Sequence, residues 1–323
     1  MFCGIDIGGT HISVGLVSSD GNIACSEMVQ TRTVAGVEDM IDVLADVIFR
    51  LKKQSGSPLK GIGIGAPGGN YYEGTMVSPS NMKIKGIVPV VALFKKKFPD
   101  VPVYITNDAN AAATGEKVYG AGKELTDFVV ITLGTGLGSG FIVNGQIMYG
   151  ANGMAGELGH TIAVEGGRQC KCGRRGCLER YVAAEGILIT YREVCSEMGV
   201  VPSANTAEDI YSLAVKDDGP AKETFLRTGN TLGASLATMA MITAPSHIIL
   251  FGGITNAGEY LLSPTRNSFE EHLLESFRNS IIIQRSAISE DNAAILGAAA
   301  LACHAATAQP LQPLQPLQHN SKT

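Results

Sequence analysis

A strand, a turn rich in glycine and threonine, and a returning strand occur twice in this sequence. The strand segments are Phe2–Ile7 and His11–Val17 in the first copy, and Phe128–Leu133 and Gly140–Val143 in the second. The turns contain Gly8, Gly9 and Thr10 in the first copy, and Gly134, Thr135, Gly136, Leu137 and Gly138 in the second. Glycine lets the backbone direct N–H groups at an anion, and threonine adds a hydroxyl donor. The repeat predicts a duplicated phosphate-holding unit, although a plain hairpin would explain either turn taken alone.

A further glycine turn and an acidic residue fit the same interpretation. Gly252 and Gly253 follow the strand His247–Phe251 and are expected on the adenosine side of a nucleotide. Asp6 lies near the end of the first strand, where a carboxylate suits indirect coordination of Mg²⁺. A Rossmann site needs a helix after its glycine turn, whereas Gly140–Val143 is strand-like. The sequence also contains no G-x-x-x-x-G-K-[ST] run, which excludes a P-loop.

The rest of the chain alternates strand-like and helix-like segments, which is typical of α/β architecture. Apolar residues recur at helical spacing in segment 37–53, and Asp20-Gly21 is a hairpin signal. The further strands expected are Asn22–Gln30, Lys60–Gly65 and Pro102–Thr106, and the helices are Val37–Lys53, Val88–Lys97, much of Leu178–Ala244 and Asp291–Ala305. The Pro/Gln/Leu repeat after Ala308 is expected to be disordered, because proline at every third position disfavours helix and central strand.

Asn107 and Asp108 come directly after the strand Pro102–Thr106 and open a helix expected to reach about Lys117. N-capping is one explanation for an aspartate at a helix start. A carboxylate at the carboxyl end of a strand also lies where open α/β sheets bind ligands. There it can accept the proton of an attacking hydroxyl, so Asp108 is a candidate general base as well as a candidate cap.

One imidazole and three thiols form the most specific pattern in the sequence, and they come from His160, Cys170, Cys172 and Cys177. This set completes a tetrahedral Zn²⁺ site with no open position, which indicates a structural ion rather than a catalytic one. Three reduced cysteines in a surface loop are the alternative, but such close clustering favours metal. A disulfide scaffold is not indicated, because the remaining cysteines stand alone: Cys3, Cys25, Cys195 and Cys303.

Two carboxylates flank this cluster. Glu157 precedes His160 by three residues and would share a face with it in a helix. Glu179 follows the last thiol by two residues. Carboxylates and an imidazole that converge can bind the hydroxyls of a polyol through directed hydrogen bonds. The pattern predicts a sugar pocket braced by the metal.

Length and charge narrow the class of protein. The chain has 323 residues, which suits two domains. A net charge of −5 gives no general electrostatic reason to bind nucleic acid or an anionic membrane. The most apolar stretches are too short to span a bilayer, and Met1 leads straight into a strand-like run without a signal-peptide pattern. A cytoplasmic protein is expected.

Together these motifs resemble the ROK family of sugar kinases, which has the two-domain actin-like (RNase H-like) ATPase fold. The similarity covers nearly the whole chain and is most specific over Gly156–Glu179. It implies one α/β domain of residues 1–115 plus 291–308, a larger one of residues 116–290 that carries the zinc loop, and a disordered tail at 309–323. Nucleotide and sugar would bind in the cleft between the domains. The resemblance also implies ATP, Mg²⁺ and structural Zn²⁺, and a homodimer or higher homo-oligomer.

The resemblance also implies roles for individual residues. Asp108 corresponds to the general base for the sugar's 6-hydroxyl, and His160, Cys170, Cys172 and Cys177 correspond to the zinc ligands. The residues implied to hold the sugar are Asn81, Asn107, Asp108, Glu157, His160 and Glu179. The family usually continues Asp-x-Gly-Gly-Thr with lysine, but His11 stands there, so a cationic contact to phosphate from this position is not expected. No helix-turn-helix precedes Met1–Asp6, which disfavours the family's repressor branch.

The expected reaction is in-line phosphoryl transfer from ATP to the 6-hydroxyl of a hexose. Glucose is the leading substrate by resemblance, with N-acetylmannosamine, N-acetylglucosamine, allose and fructose as alternatives. A non-catalytic sugar sensor or an actin-like structural ATPase is the alternative from a different class. A sensor needs no Asp108, and a filament-forming protein needs no metal-braced polyol pocket.

Overall fold

The computed structural model describes residues 1–77 and 86–307. In chain order its strands are β1 (Phe2–Ile7), β2 (His11–Val17), β3 (Ile23–Gln30), β4 (Gly61–Gly65), β5 (Met76–Val77), β6 (Ile87–Val88), β7 (Val103–Thr106), β8 (Phe128–Leu133), β9 (Leu137–Val143), β10 (Gln146–Ile147), β11 (His247–Phe251) and β12 (Ile282–Arg285). Among the described residues these strands form two large sheets, ordered β3-β2-β1-β4-β7 and β10-β9-β8-β11-β12, and the short pair β5-β6.

The two large sheets have the same arrangement of strands. β1 pairs antiparallel with β2 and parallel with β4, and β8 pairs antiparallel with β9 and parallel with β11. The repeated strand, turn and strand of the sequence is therefore confirmed as a repeated half-fold. The carboxyl ends of the parallel strands of both sheets are where an open α/β fold binds its ligands.

Helices cover the sheets and connect the two halves. In chain order they are α1 (Val37–Ser55), α2 (Val90–Lys97), α3 (Asp108–Tyr119), α4 (Glu179–Val182), α5 (Ala184–Glu197), α6 (Ala207–Val215), α7 (Gly219–Thr243), α8 (Glu259–His272) and α9 (Glu290–Thr307). The helical spacing predicted in segment 37–53 is confirmed, because Met40, Leu44 and Ile48 of α1 are fully buried in the core of the first sheet.

Small residues let α9 lie directly on the first sheet. A Cβ atom at Gly4 of β1 would come within 2.1 Å of the Ile295 carbonyl oxygen, and one at Gly63 of β4 within 1.9 Å of the Ala298 carbonyl oxygen. The other side of α9 crosses α3, where a Cβ at Gly115 would lie 3.0 Å from the Gly297 Cα. Because α3 also packs on β8 and β9 of the second sheet, α3 and α9 together join the two halves.

Loops on the first and second sheets also touch each other. The rings of Tyr71 and Tyr149 stack with centroids 4.3 Å apart and an angle of 11° between their planes. Near them, Asn70 Nδ2 donates a hydrogen bond of 2.9 Å to the carbonyl oxygen of Asn152. These contacts fix how the two halves face each other at one side of the cleft.

Most predicted elements are found with shifted ends. The helix expected at Val88 begins at Val90, since Val88 pairs in β6 and Pro89 occupies the N-cap. The strand expected at Gly140 begins at Leu137, which shortens the second glycine turn to residues 134–136. None of the helices in the described part of the chain is long and apolar enough to cross a lipid bilayer.

Candidate active site

A cavity of about 380 Å³ opens where the carboxyl ends of β7, β8 and β11 meet. This volume lies within the range of roughly 300–1,000 Å³ that is usual for small-molecule sites. The predicted residues that line it are Asn107, Asp108, Gly134, Thr135, Gly136, Glu157, Glu179, Gly252 and Gly253. The candidate base, two candidate sugar-binding carboxylates and two glycine turns therefore share one cavity.

The sequence left two roles open for Asp108, helix N-cap and general base, and in the structure Asn107 takes the first of them. Asn107 is the N-cap of α3, and its Oδ1 accepts a 2.7 Å hydrogen bond from the N–H of Asn110. Asp108 is the first residue of the helix and lines the cavity, and its Oδ1 accepts a 2.9 Å bond from the N–H of Ala109. The capping explanation therefore applies to Asn107 rather than to Asp108.

Asp6 brings a second carboxylate from the first sheet toward Asp108. It pairs with Gly65 in the parallel register of β1 and β4, and a Cβ at Gly65 would lie 3.5 Å from its Oδ1. Burial, and secondarily the charge of Asp108, raise the pKa of Asp6 to about 6. Because a bound cation stabilises the ionised form, a buried carboxylate beside a second carboxylate is a suitable place for a cation to bind.

The first glycine turn follows β1 and does not form part of this cavity wall. In the described part of the chain, Gly8, Gly9 and Thr10 are not among the lining residues. The turn is closed by a 3.0 Å hydrogen bond from the N–H of Gly8 to the carbonyl oxygen of His11, and Thr10 is exposed.

The second glycine turn forms part of the cavity wall. The N–H of Gly134 bonds to the carbonyl oxygen of Gly136 at 3.0 Å, and the N–H of Gly138 bonds to Thr132 Oγ1 at 3.1 Å. Nearby, Gly252 has a φ of 104°, and a Cβ there would lie 2.4 Å from the Leu133 carbonyl oxygen. Only glycine suits that backbone at that distance, so the third turn is held tightly against the second.

The predicted metal ligands lie together. The ligand atoms of His160, Cys170, Cys172 and Cys177 are all within 4.8 Å of one another. Cys172 Sγ is 3.6 Å from Cys177 Sγ, and Cys170 Sγ is 3.8 Å from His160 Nδ1. With Zn–S bonds of about 2.3 Å, a tetrahedral site separates its sulfurs by roughly 3.8 Å. The four residues therefore fit a closed tetrahedral ion.

Arg168 ties this metal-binding loop to α5. Its guanidinium group lies over the ring of Tyr181, 4.6 Å from the centroid. It also donates hydrogen bonds of 2.5–3.0 Å to the carbonyl oxygens of Arg180 and Gly186, to Thr190 Oγ1 and to Glu193 Oε2. Because the donors of one planar group reach both α4 and α5, this side chain fastens the start of the loop to these two helices.

Comparison with protein families matches the ROK family over residues 2–305. The chain belongs to the ROK family. This ROK protein is 34% identical over 307 residues to a glucokinase of Thermotoga maritima, with 92% of this chain and 96% of the other aligned. It is 29% identical over 310 residues to a xylose repressor of Caldicellulosiruptor bescii, with 92% of this chain and 77% of the repressor aligned.

A solved structure shows the same fold. The ROK family glucokinase of Streptomyces griseus, determined in complex with glucose and AMPPNP, superimposes with a TM-score of 0.74 at 30% identity. The match covers 93% of this ROK protein and 98% of the Streptomyces chain. The predicted family and the predicted actin-like ATPase fold are confirmed.

The structure separates two predicted sugar-binding residues that the sequence placed on one face. Leu158–His160 forms a single turn of 3₁₀ helix with Glu157 at its N-cap. Glu157 lines the cavity of this ROK protein, whereas His160 is placed in the metal cluster and, among the described residues, is not in the cavity wall. Asn81, the remaining predicted sugar ligand, lies outside the described residues.

Sequence reasoning missed the polar residues that hold this site together. Ser139 Oγ donates to the carbonyl oxygen of Gly156 and accepts from the N–H of Leu158 at 3.2 Å, which links β9 to the segment that carries Glu157. Thr132 supports the second turn in the same way. The sequence feature that could have revealed them is a serine and a threonine within strands of mostly apolar residues. A hydroxyl with little access to water there needs a hydrogen-bond partner.

Proposed function

We propose that this ROK protein transfers the γ-phosphoryl group of ATP to the 6-hydroxyl of a hexose, and that glucose is the preferred substrate. The proposal is supported by one observation: Asp108, Glu157, Glu179 and the second and third glycine turns all line the same cavity. A base, hydroxyl-binding carboxylates and phosphate-binding backbone are the groups that phosphoryl transfer to a sugar requires.

In the proposed mechanism, Asn107, Glu157 and Glu179 accept hydrogen bonds from sugar hydroxyls and fix the ring. Asp108 accepts the proton of the 6-hydroxyl as that oxygen bonds to the γ-phosphorus and the bond from phosphorus to the β-phosphate oxygen breaks. The backbone of Gly134–Gly136 and of Gly252–Gly253 holds the phosphates in line. Positioning and charge stabilisation supply most of the rate, because the transition state of phosphoryl transfer is loose.

Asp6 is the residue that would hold Mg²⁺, indirectly through water. Its carboxylate sits beside Asp108 and has a pKa raised by burial, which is the environment that a bound cation relieves. When bound with ATP, Mg²⁺ neutralises phosphate charge.

The metal cluster would hold a structural Zn²⁺ through His160, Cys170, Cys172 and Cys177. The fit of the four ligand atoms to a tetrahedron supports this ion, and three thiolates favour zinc over magnesium or calcium. His160 is proposed to use Nδ1 for the metal, the nitrogen nearest Cys170, and to direct its other nitrogen toward the sugar.

Glucose is the proposed substrate because two of the relatives are described as glucokinases, one of them in complex with glucose and AMPPNP. N-Acetylmannosamine, N-acetylglucosamine, allose and fructose are the alternative substrates. The similarity to a xylose repressor favours a second candidate function, in which the protein binds a sugar without phosphorylating it. The position of Asp108 in the cavity supports the kinase, since a sensor needs no base there.

The test is the turnover of an Asp108→Asn variant. With glucose and Mg-ATP, the wild type should release ADP and glucose 6-phosphate, and the variant should lose about 10³-fold in kcat while it keeps its melting temperature and nucleotide affinity. Asp100→Asn is the matched control, because Asp100 is exposed and precedes β7 at the end away from the cavity. A near-normal rate in Asp108→Asn would exclude the base assignment.

A further inference from the structure

Glu179 contacts the second glycine turn directly. It is the first residue of α4, and its Oε2 accepts a 3.0 Å hydrogen bond from the N–H of Leu137, the residue that follows the turn. A Cβ at Gly136 would come within 2.7 Å of the same oxygen. The carboxylate therefore lies against the turn, and glycine at position 136 leaves room for it.

The other end of the turn is held by the same segment of chain. The N–H of Ala184, the first residue of α5, donates a 3.0 Å hydrogen bond to the carbonyl oxygen of Gly134. Residues 179–184 therefore form hydrogen bonds at both ends of the turn, through the side chain of Glu179 at one end and the backbone of Ala184 at the other.

This segment begins where the metal cluster ends. Cys177, a predicted ligand, precedes Glu179 by two residues, and its carbonyl oxygen accepts a 3.0 Å bond from the N–H of Arg180. The N–H of Leu178 bonds at 2.9 Å to the carbonyl oxygen of Thr161, which follows His160. The position of Glu179 is therefore set by the loop that carries the four metal ligands.

We propose that Glu179 is a positioning residue for the phosphate-binding turn, and that it links that turn to the sugar pocket and the metal cluster. The inference rests on the proposed kinase function for the identity of the ligands. A carboxylate has two oxygens, so one can hold Leu137 while the other accepts from a sugar hydroxyl. Sugar and nucleotide then share one side chain, and each affects the binding of the other.

A comparison with Glu157 distinguishes the positioning role of Glu179 from a role in sugar binding alone. It lines the same cavity, but in the described part of the chain its side chain makes no hydrogen bond to the turn. Both carboxylates should matter for sugar affinity. Only Glu179 should matter for nucleotide affinity when no sugar is present.

The first measurement is the affinity of the sugar-free, zinc-loaded protein for Mg-ADP by calorimetry. Glu179→Ala should weaken it about tenfold, the effect of losing one hydrogen bond to a charged group. Glu157→Ala should change it less than twofold. Glu179→Gln should stay close to the wild type, because its amide oxygen can still accept from Leu137. Equal nucleotide affinities in Glu179→Ala and Glu157→Ala would overturn the inference.

The second measurement is hydrogen exchange of the Leu137 amide, which needs no ligand and no turnover. Exchange should be about tenfold faster in Glu179→Ala and unchanged in Glu157→Ala. Glu179→Asp keeps the charge and shortens the side chain, so it should also speed exchange and serves if the alanine variant does not fold. Unchanged exchange in both Glu179 variants would overturn the inference. A protein that phosphorylates no sugar but shows these exchange rates would contradict the proposed function and leave the positioning role intact.

Discussion

Two aspartates of the first half-fold lie near each other at the candidate site, Asp6 on β1 and Asp108 directly after β7, and their environments give them different tasks. Asp108 begins α3 and faces the cavity, where it is the proposed base. Asp6 lies on β1, and burial together with the charge of Asp108 raises its pKa to about 6 from an ordinary value of 3.8. An ionised Asp6 therefore costs the metal-free protein stability at neutral pH, which a bound cation would restore.

This cost predicts how Asp6→Asn changes stability with pH. Between about pH 4 and pH 6 the folded wild type keeps a proton that the unfolded chain has released, so its free energy of unfolding falls as the pH rises through that window. The free energy of unfolding of the asparagine variant should not fall in this way, because asparagine does not ionise. In metal-free buffer at pH 7 the variant should be about 2 kcal/mol more stable than the wild type, and at pH 4 nearly equal to it.

Urea unfolding at several pH values measures this difference, with Asp100→Asn as the exposed control. The same Asp6→Asn variant should bind Mg-ADP more weakly than the wild type. A variant that is less stable than the wild type at pH 7 would contradict the buried-charge account.

Among the elements, the loop that carries the candidate metal ligands is expected to affect sugar binding most directly. His160→Ala removes one of four ligands and should therefore lose zinc and sugar affinity together, because Glu157 and Glu179 flank the cluster on either side. Metal content and glucose affinity of the purified variant provide the test. Cys25→Ala is the control, since Cys25 lies on β3 outside the cluster and should leave both unchanged. Full sugar affinity after zinc loss would break the proposed link.

Helix α9 depends on glycine for its position on the first sheet. Gly63→Ala places a Cβ 1.9 Å from the Ala298 carbonyl oxygen, so the helix or the strand must move. Overpacking of this kind should lower the free energy of unfolding by about 3 kcal/mol. Gly36→Ala is the control, because a Cβ there meets nothing within 4 Å, and since Gly36 is the N-cap of α1 it should lower stability by no more than about 1 kcal/mol. Chemical unfolding of both variants checks the difference, and equal stability would contradict this packing account.

Local signals predicted most of these elements but not the contacts between them. The strands β1, β2, β8 and β11 have the predicted ends, because glycine turns bound short apolar runs. The cluster of candidate metal ligands was predictable because three of its four side chains, all thiols, fall within eight residues. The hydrogen bond between Glu179 and Leu137 joins residues 42 positions apart, and the sequence around either residue contains no pattern that predicts it. Such pairs depend on the tertiary packing that brings the start of α4 to the turn before β9, and local sequence does not determine that packing.

At the scale of the whole molecule, the site is made by two half-folds that share one plan. The first sheet contributes Asn107 and Asp108, which follow β7, with Asp6 of β1 close to Asp108, and the second sheet contributes the glycine turns of the cavity wall. The stacked rings of Tyr71 and Tyr149 hold the two halves together beside the cleft. The domain limits implied by resemblance, 1–115 with 291–308 and 116–290, remain a prediction.

This ROK protein is proposed to phosphorylate a sugar rather than only to bind it. The most direct measurement is ADP release in a coupled assay with Mg-ATP across glucose, N-acetylmannosamine, N-acetylglucosamine, allose and fructose, with binding of each sugar measured in parallel. Sugar-dependent ADP release that is fastest with glucose is the expected result. Tight binding of a sugar with no ADP release on any member of the panel would contradict it and favour a sensor.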